Sequence, residues 1–164
     1  MAEYALFFDA ERCVGCFTCE VACKQENNIP VGPRWIRMVQ IGPRKKGVQI
    51  STSFSLIRCR HCSNPPCKGA CPVKAIYRTE NGVVLINQEL CTGCRACMEA
   101  CPFGALQYHA AKGTVEKCTL CIDRIIKGLI PSCAKHCPYH ALSFGDLNEI
   151  VFERQAQKLN RLAD

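Results

Sequence analysis

Long apolar runs are missing from this chain of 164 residues; nothing in it approaches the roughly 20 consecutive apolar residues of a membrane span. The opening residues Met1-Ala-Glu-Tyr-Ala5 carry no basic region, apolar core or small-residue cleavage site, and no twin-arginine pair precedes an apolar stretch. The expectation is a protein without a leader or a direct membrane span, working in the cytoplasm. There is no glycine-rich phosphate loop, no nucleophile elbow and no zinc-protease helix, which argues against the enzyme classes built on them. Aromatic residues are also few, with a single tryptophan, and part of the 48% hydrophobic share is cysteine. The conventional core is therefore thin, and a small chain with a thin core needs staples.

The staples are cysteines. There are 16, far above ordinary usage. With no leader in view, reduced thiols holding inorganic cofactors are a better reading than a disulfide scaffold. The most informative stretch is Cys91-Thr-Gly-Cys94-Arg-Ala-Cys97-Met-Glu-Ala-Cys101-Pro102. Its C-x2-C-x2-C-x3-C-P spacing is the one that ligates a [4Fe–4S] cube, three thiolates from a short loop and the fourth serving a neighbouring cube. Structural zinc uses separated cysteine pairs and has no use for a compact triple.

Four such groups divide the chain. The first is Cys13, Cys16, Cys19 and Cys23, with Lys24 where the proline would stand. The second is Cys59, Cys62, Cys67 and Cys71, followed by Pro72. The third is the stretch above. The fourth is Cys118, Cys121, Cys133 and Cys137, followed by Pro138, with eleven residues inserted before its third cysteine. Internal repetition supports the division, since Cys71-Pro-Val-Lys-Ala-Ile76, Cys101-Pro-Phe-Gly-Ala-Leu106 and Cys137-Pro-Tyr-His-Ala-Leu142 share one template. Proline at a first helical position suggests that each fourth cysteine opens a short helix packed on a cube through its alanine and branched residue.

If each fourth cysteine swaps to a neighbouring cube, symmetry pairs group one with four and two with three. The first cube then takes Cys13, Cys16, Cys19 and Cys137; the second takes Cys118, Cys121, Cys133 and Cys23. The third takes Cys59, Cys62, Cys67 and Cys101, and the fourth takes Cys91, Cys94, Cys97 and Cys71. All sixteen thiolates are spent, so none is left as a nucleophile and no iron is open to substrate. Such clusters pass electrons, and no catalytic residue is expected.

The formal charge of +7 invites nucleic acid or an anionic membrane as partner, and a cysteine-rich zinc module binding nucleic acid is one competing reading. Cubes with four thiolates are anionic, however, and the basic excess serves to compensate them. No nucleic-acid partner is expected. Arg12, Arg58, Arg60, Lys117, Arg124 and Lys135 lie beside ligands; they are either cations that raise local potentials or solvated surface charges. His61, His136 and His140 read as hydrogen-bond donors or bystanders, and His109 has no distinguishing context.

Between the groups, Tyr4 to Asp9 reads as a strand, and residues 76–86 as two strands around the Asn81-Gly82 hairpin signal. Trp35 to Ile41 and Val48 to Leu56 alternate like strands joined by a Gly42–Gly47 turn. Val48, Ile50, Phe54 and Leu56 suggest a covered face, either over a cluster or as an arm for a partner. The insertion in group four reads as a helix with Ile122, Ile125, Ile126 and Leu129 on one face, ended by Gly128 and Pro131. After Asp146, a capping-box pattern with Glu149 leads into a stripe of Leu147, Ile150, Val151, Leu159 and Leu162. That helix either folds back on its own domain or docks on a partner.

The expected fold is α+β: two interleaved bacterial-ferredoxin-like modules related by a pseudo-twofold and holding four [4Fe–4S] clusters. Residues 1–28 with 112–147 form the outer module and 57–111 the inner one; 29–56 is a β-hairpin insertion and 148–164 a C-terminal helix.

These motifs carry a resemblance. Cys13-Val-Gly-Cys16-Phe-Thr-Cys19-Glu-Val-Ala-Cys23-Lys-Gln-Glu-Asn-Asn28, Cys59-Arg-His-Cys62-Ser-Asn-Pro-Pro-Cys67, and Lys117-Cys118-Thr-Leu-Cys121-Ile-Asp-Arg124 with Gly128, Pro131-Ser-Cys133 and Phe144-Gly-Asp-Leu147 bear it. Over about residues 4–147 the chain resembles the four-cluster iron–sulfur subunits of dimethyl-sulfoxide-reductase-type molybdenum and tungsten enzymes and related polyferredoxin-like subunits. The resemblance implies a non-catalytic electron-transfer subunit beside a large molybdenum- or tungsten-pterin catalytic subunit, such as an aldehyde or formate oxidoreductase. It implies a further redox partner too: a flavoprotein, a ferredoxin or a quinone-linked carrier. The chain lacks long insertions, which fits a soluble complex, and self-association is a further expectation. No group has tryptophan at a ligand position, so no three-iron cluster is expected. The alternative is a free-standing polyferredoxin electron carrier.

Overall fold

The computed structural model describes residues 3–163, with the side chains of residues 46 and 157–163 outside that description. Four two-stranded antiparallel sheets and six helices make up the described chain. Strand β1 (Tyr4–Phe8) leads into helix α1 (Thr18–Glu26), then the long hairpin β2 (Ile36–Lys46) and β3 (Gln49–Arg58). Helix α2 (Pro66–Gly69), strands β4 (Ile76–Arg78) and β5 (Val84–Ile86), and helix α3 (Ala96–Glu99) follow. Next come strands β6 (Gln107–His109) and β7 (Thr114–Glu116) and helices α4 (Ile122–Ile125) and α5 (Ser132–Lys135). Strand β8 (Leu142–Asp146) runs into helix α6 (Leu147–Ala163).

The first and last strands close the chain. Strand β1 pairs with β8 from Tyr4↔Asp146 to Phe8↔Leu142, while β4–β5 and β6–β7 are local hairpins. Tyr4 stacks on Phe144 with centroids 5.4 Å apart, and the Tyr4 amide donates to the Asn81 carbonyl, tying the closing sheet to the β4–β5 hairpin. The β6–β7 hairpin was not legible in the sequence, because two three-residue strands are too short to show a period.

The helices stand on the other side of the fourth cysteine from the expectation. Helices α2, α3 and α5 each contain the third cysteine of their group and stop before the Cys-Pro pair. A residue before proline is driven out of the helical region, so the helix ends there. After each pair comes a turn rather than a helix. Lys74, Gly104 and His140, at one template position, take positive φ, and each donates its amide to the cysteine carbonyl three residues back at 3.2 Å. The buried residues of the template are as expected: Ala75, Ala105 and Ala141, with Ile76, Leu106 and Leu142. Group one lacks the proline, and α1 accordingly runs on through Cys23 to Glu26.

Three further expectations are corrected. The Gly42–Gly47 turn is mostly strand; the register shifts between Ile41 and Arg44, and the reversal sits at Gly47-Val48, with Gly47 at φ 63°. The hairpin face is covered only at its base, where Phe54 and Leu56 pack on the core, while Val48 and Ile50 are 98% and 73% exposed. In the group-four insertion α4 is a single turn, closed by Gly128 at φ 72°. The Gly128 amide bonds the Ile125 carbonyl and the Leu129 amide the Arg124 carbonyl. Ile125 is buried, but Ile126 and Leu129 are exposed.

The core is built partly from thiols. One cluster joins Leu6, Ile29, Ile36, Met38, Val83, Leu120 and Leu142 to Cys19, Cys23 and Cys133; a second joins Ile76, Val84, Leu106 and Val115 to Cys67 and Cys97. Between them a small third cluster holds Cys59, Ala105 and Cys118.

Helix α6 is capped by Asp146, whose Oδ1 accepts the Asn148 amide at 2.8 Å. It folds back on its own chain: Ile150 is buried, Arg154 lies 3.7 Å from the Phe7 ring centroid, and Arg154 Nη1 donates to Asp9 at 2.9 Å. The Leu159 and Leu162 positions of the expected stripe lie outside the described side chains. Asp9 is buried, and the Arg154 hydrogen bond, helped by the Glu11 amide, holds its carboxyl below the usual range against the opposing effect of burial. A lowered folded value means stability that is present above the unfolded carboxyl value near 3.9 and is lost as pH falls through the folded one. Asp9→Asn should therefore speed amide exchange in α6 and lower stability at pH 7, with the difference from the parent shrinking below about pH 4. Hydrogen exchange read at the two pH values checks it.

Candidate metal centre

All sixteen cysteines are free thiols. Their placement follows from backbone turns that only certain residues accept. In the loop of group one Gly15 and Phe17 have positive φ; in group three Gly93 and Arg95 do; in group four Leu120 and Cys121 do; in group two His61 does. These left-handed residues curl each loop so that amides face sulfur. The His61 amide points to Cys59 Sγ at 3.5 Å, Leu120 to Cys118 at 3.3 Å, Ala75 to Cys71 at 3.3 Å and Val115 to Cys91 at 3.5 Å. Amide donors of this kind favour a thiolate.

The thiols come together in fours. One cavity is lined by Cys71, Cys91, Cys94 and Cys97, with Ala75, Ile76 and Val115 as apolar wall. Another is lined by Cys59, Cys62, Cys67 and Cys101, with Val84, Phe103 and Leu106. A third is lined by Cys23, Cys118, Cys121 and Cys133, with Leu6, Trp35 and Leu120. Around Cys19 the neighbouring thiols are Cys137 and Cys16, while Cys13 Sγ lies 3.9 Å from Met38 Sδ in the same core region. Each set with its fourth cysteine from elsewhere in the chain spans two groups: Cys71 joins group three, Cys101 group two, and Cys23 group four.

Electrostatically these thiols wait for a cation. Burial pushes the Cys19 thiol up to about 12 and the Cys97 thiol to about 11, and raises Cys23 and Cys133 further, with neighbouring cysteines adding to the rise. A buried thiolate is thus costly until a metal supplies positive charge, and loading then expels protons. Among the described residues no three His, Cys, Asp or Glu side chains converge closely enough to hold one metal ion. Four sulfurs spread around an apolar cavity fit the corners of a [4Fe–4S] cube better than a single zinc ion, so the donor set suits the cluster.

The candidate cations divide by burial. Arg12, Arg60 and Lys135 are exposed, Arg60 lying over the Phe103 ring at 4.6 Å. Arg124 is spent on Glu26 at 2.8 Å. Lys117 is buried, and so is most of Arg58, whose guanidinium donates to the Cys59 carbonyl at 2.7 Å and to that of Leu6. Of the histidines, His136 and His140 are exposed, His109 is buried with Nδ1 accepting the Lys112 amide at 3.2 Å, and His61 is buried. Burial first, then Lys117 and Arg58, holds His61 well below 6.5 and therefore neutral. Sequence reading missed Glu20 and Glu116, two buried carboxylates. Glu20 accepts the Met38 amide and pairs with Arg34; Glu116 is held by Lys112 and Trp35. Their partners are 14 and 81 residues away for Arg34 and Trp35, beyond any local pattern.

Known proteins share this arrangement of cysteines. Residues 50–147 match the 4Fe-4S dicluster domain family. The chain is 36% identical over 178 residues to a dimethyl sulfoxide reductase iron-sulfur subunit of Halobacterium salinarum, covering 91% of this chain and 68% of that protein. It is 39% identical over 155 residues to the thiosulfate reductase electron transfer subunit PhsB of Salmonella typhi, covering 93% and 80%. It is 38% identical over 148 residues to a subunit of the tetrathionate reductase of Salmonella typhimurium, covering 90% and 59%.

The binding loops make a substitution pair. A Cβ at Gly93 would collide with the Gly113 carbonyl oxygen, at φ +69°, whereas one at Gly69 would meet nothing within 4 Å. Gly93→Ala should cost at least ~1–2 kcal/mol from backbone conformation alone, with iron lost from the cavity it borders. Gly69→Ala should be neutral or better. Thermal midpoints and iron per chain decide.

Proposed function

The chain belongs to the 4Fe-4S dicluster domain family, and on that premise we propose that it is the electron-transfer subunit of a reductase complex. It is an iron–sulfur protein with four [4Fe–4S] clusters and no catalytic role of its own. Its partner, on this reading, is a large molybdenum- or tungsten-pterin catalytic subunit. A further redox subunit or carrier stands at the other end. The grouping of thiols, four to a cavity, carries this reading most directly.

When bound, the clusters supply one-electron redox capacity. The chain's own residues do the rest. We assign Cys13, Cys16, Cys19 and Cys137 to one cluster and Cys118, Cys121, Cys133 and Cys23 to a second. Cys59, Cys62, Cys67 and Cys101 hold a third, and Cys91, Cys94, Cys97 and Cys71 a fourth. Two observations support the assignment: the lining of three cavities, and the presence of Cys137 and Cys16 beside Cys19. Apolar walls exclude water, and loop amides donate to sulfur.

The same swaps favour two interleaved modules, residues 57–111 inside and 1–28 with 112–147 closing around them. The β1–β8 pairing and the α1–α5 packing, with Ser132 Oγ on the Ala22 carbonyl, support that closure. No helix among the described residues is long and apolar enough to cross a membrane. The exposed Val48–Ile50 tip of the long hairpin and the exposed Ile126, Leu129 and Ile130 are surfaces such a subunit could offer to its partners.

Anaerobically prepared chain should contain about sixteen iron and sixteen sulfide. Zinc or disulfides in their place would overturn the assignment. Cys23→Ser should disturb the cluster of Cys118, Cys121 and Cys133 and spare that of Cys13, Cys16 and Cys19, as read by electron paramagnetic resonance. Co-purification with a large pterin-containing subunit tests the partner, and isolation as a lone carrier would favour a free polyferredoxin.

A further inference from the structure

Lys117 is 3% exposed, and its ammonium is held only by backbone carbonyls: that of Val84, and that of Cys118 at 3.0 Å. No carboxylate pairs with it among the described residues. Glu116 beside it is taken by Lys112 at 2.7 Å and by the Trp35 indole at 3.2 Å. A fully buried charge without a counter-charge is costly, so something anionic must stand near it in the working protein.

Its two carbonyls say what. Val84 lines the cavity of Cys59, Cys62, Cys67 and Cys101, and Cys118 belongs to the cavity of Cys23, Cys121 and Cys133. Cys59 and Cys118 themselves share the small core cluster between the two larger ones. Two more donors reach the same place. Arg58 holds the Cys59 carbonyl and interacts with Cys118, Cys133 and Cys59. His61 accepts the Val84 amide on Nδ1 at 3.0 Å, so its proton sits on Nε2, which is buried with no hydrogen-bond partner. Two cations and one orphaned donor therefore sit between these two thiol sets, and the acceptors they lack are anionic.

We propose that Lys117, with Arg58 and His61 around it, is a potential-setting residue, which raises the reduction potentials of the two clusters on either side of the module boundary. The inference rests on the four-cluster reading above. Fixed positive charge favours the more negative, reduced cluster, and does so most where water is excluded. Cys71, Cys91, Cys94, Cys97 and Cys13, Cys16, Cys19 have no comparable buried, unpaired cation among their described neighbours. The boundary pair is thus the place where an electron crossing between modules is held.

The test uses the anaerobic holoprotein. Iron per chain is measured first, and signals are assigned with Cys62→Ser and Cys121→Ser. Lys117→Gln keeps a donor for the carbonyls and removes the charge. It should lower the midpoints of the boundary pair by at least a tenfold change in reduced-to-oxidised ratio, 59 mV for one electron, and leave the other two in place. Lys117→Arg should restore parent values. A full iron complement with unmoved potentials, or four clusters shifting alike, overturns the inference while leaving the four-cluster reading intact. Fewer than four clusters in the parent chain defeats that reading instead. If Lys117→Gln does not assemble, Lys117→Arg and Arg58→Gln take its place. Parent values in the first with a lowered boundary pair in the second support the inference, and any other pattern overturns it.

Discussion

Sulfur buried without a counter-charge is the condition to which this fold answers. Half of the sixteen cysteines are buried, and burial drives their thiols well above the ordinary range. Left alone, such thiols remain protonated and behave as small apolar side chains filling out a core that is otherwise thin. Iron changes their character. It takes the proton's place, supplies the positive charge the interior lacks, and joins segments far apart in sequence. Folding and cluster loading are thus one process, as in other small metal-organised domains.

Short loops make that process specific. A run of cysteines two residues apart can face one cavity only if the chain curls more tightly than ordinary residues prefer. The left-handed residues at Gly15, Phe17, His61, Gly93, Arg95, Leu120 and Cys121 provide the curl, and each curl also turns an amide or a carbonyl toward the site. At Gly93 the approach of the Gly113 carbonyl leaves no room for a side chain at all. The proline after the fourth cysteine has the complementary role of ending the helix and turning the chain into a strand. Where it is missing, α1 continues.

Charge is distributed with the same economy. Most basic residues lie on the surface or in ion pairs, as with Arg124 and Glu26. Lys117 and Arg58 instead lie inside, against backbone carbonyls, where two thiol-lined cavities approach each other. The formal +7 of the chain is therefore not a footprint for nucleic acid. Part of it is interior charge placed where anionic clusters need it.

By itself the sequence determined the donors, their spacing, the repeated Cys-Pro template and the four groups, because each is a local pattern of a few residues. It also indicated strands at Tyr4–Phe8, Ile76–Arg78 and Val84–Ile86, where alternation or a hairpin signal is strong. It misplaced the short helices, since proline's effect on the residue before it outweighed its tolerance at a helix start. It also overstated the covered face of the long hairpin, because alternation says nothing about whether anything lies opposite. Symmetry suggested a partner for each fourth cysteine. Only the fold brings Cys23 to Cys118, Cys121 and Cys133, or closes β1 on β8. Only the fold, too, sets Lys117 and His61 on the two sides of Val84. Those contacts join residues tens to more than a hundred positions apart, and no short-range pattern encodes which distant surface will cover a given side chain.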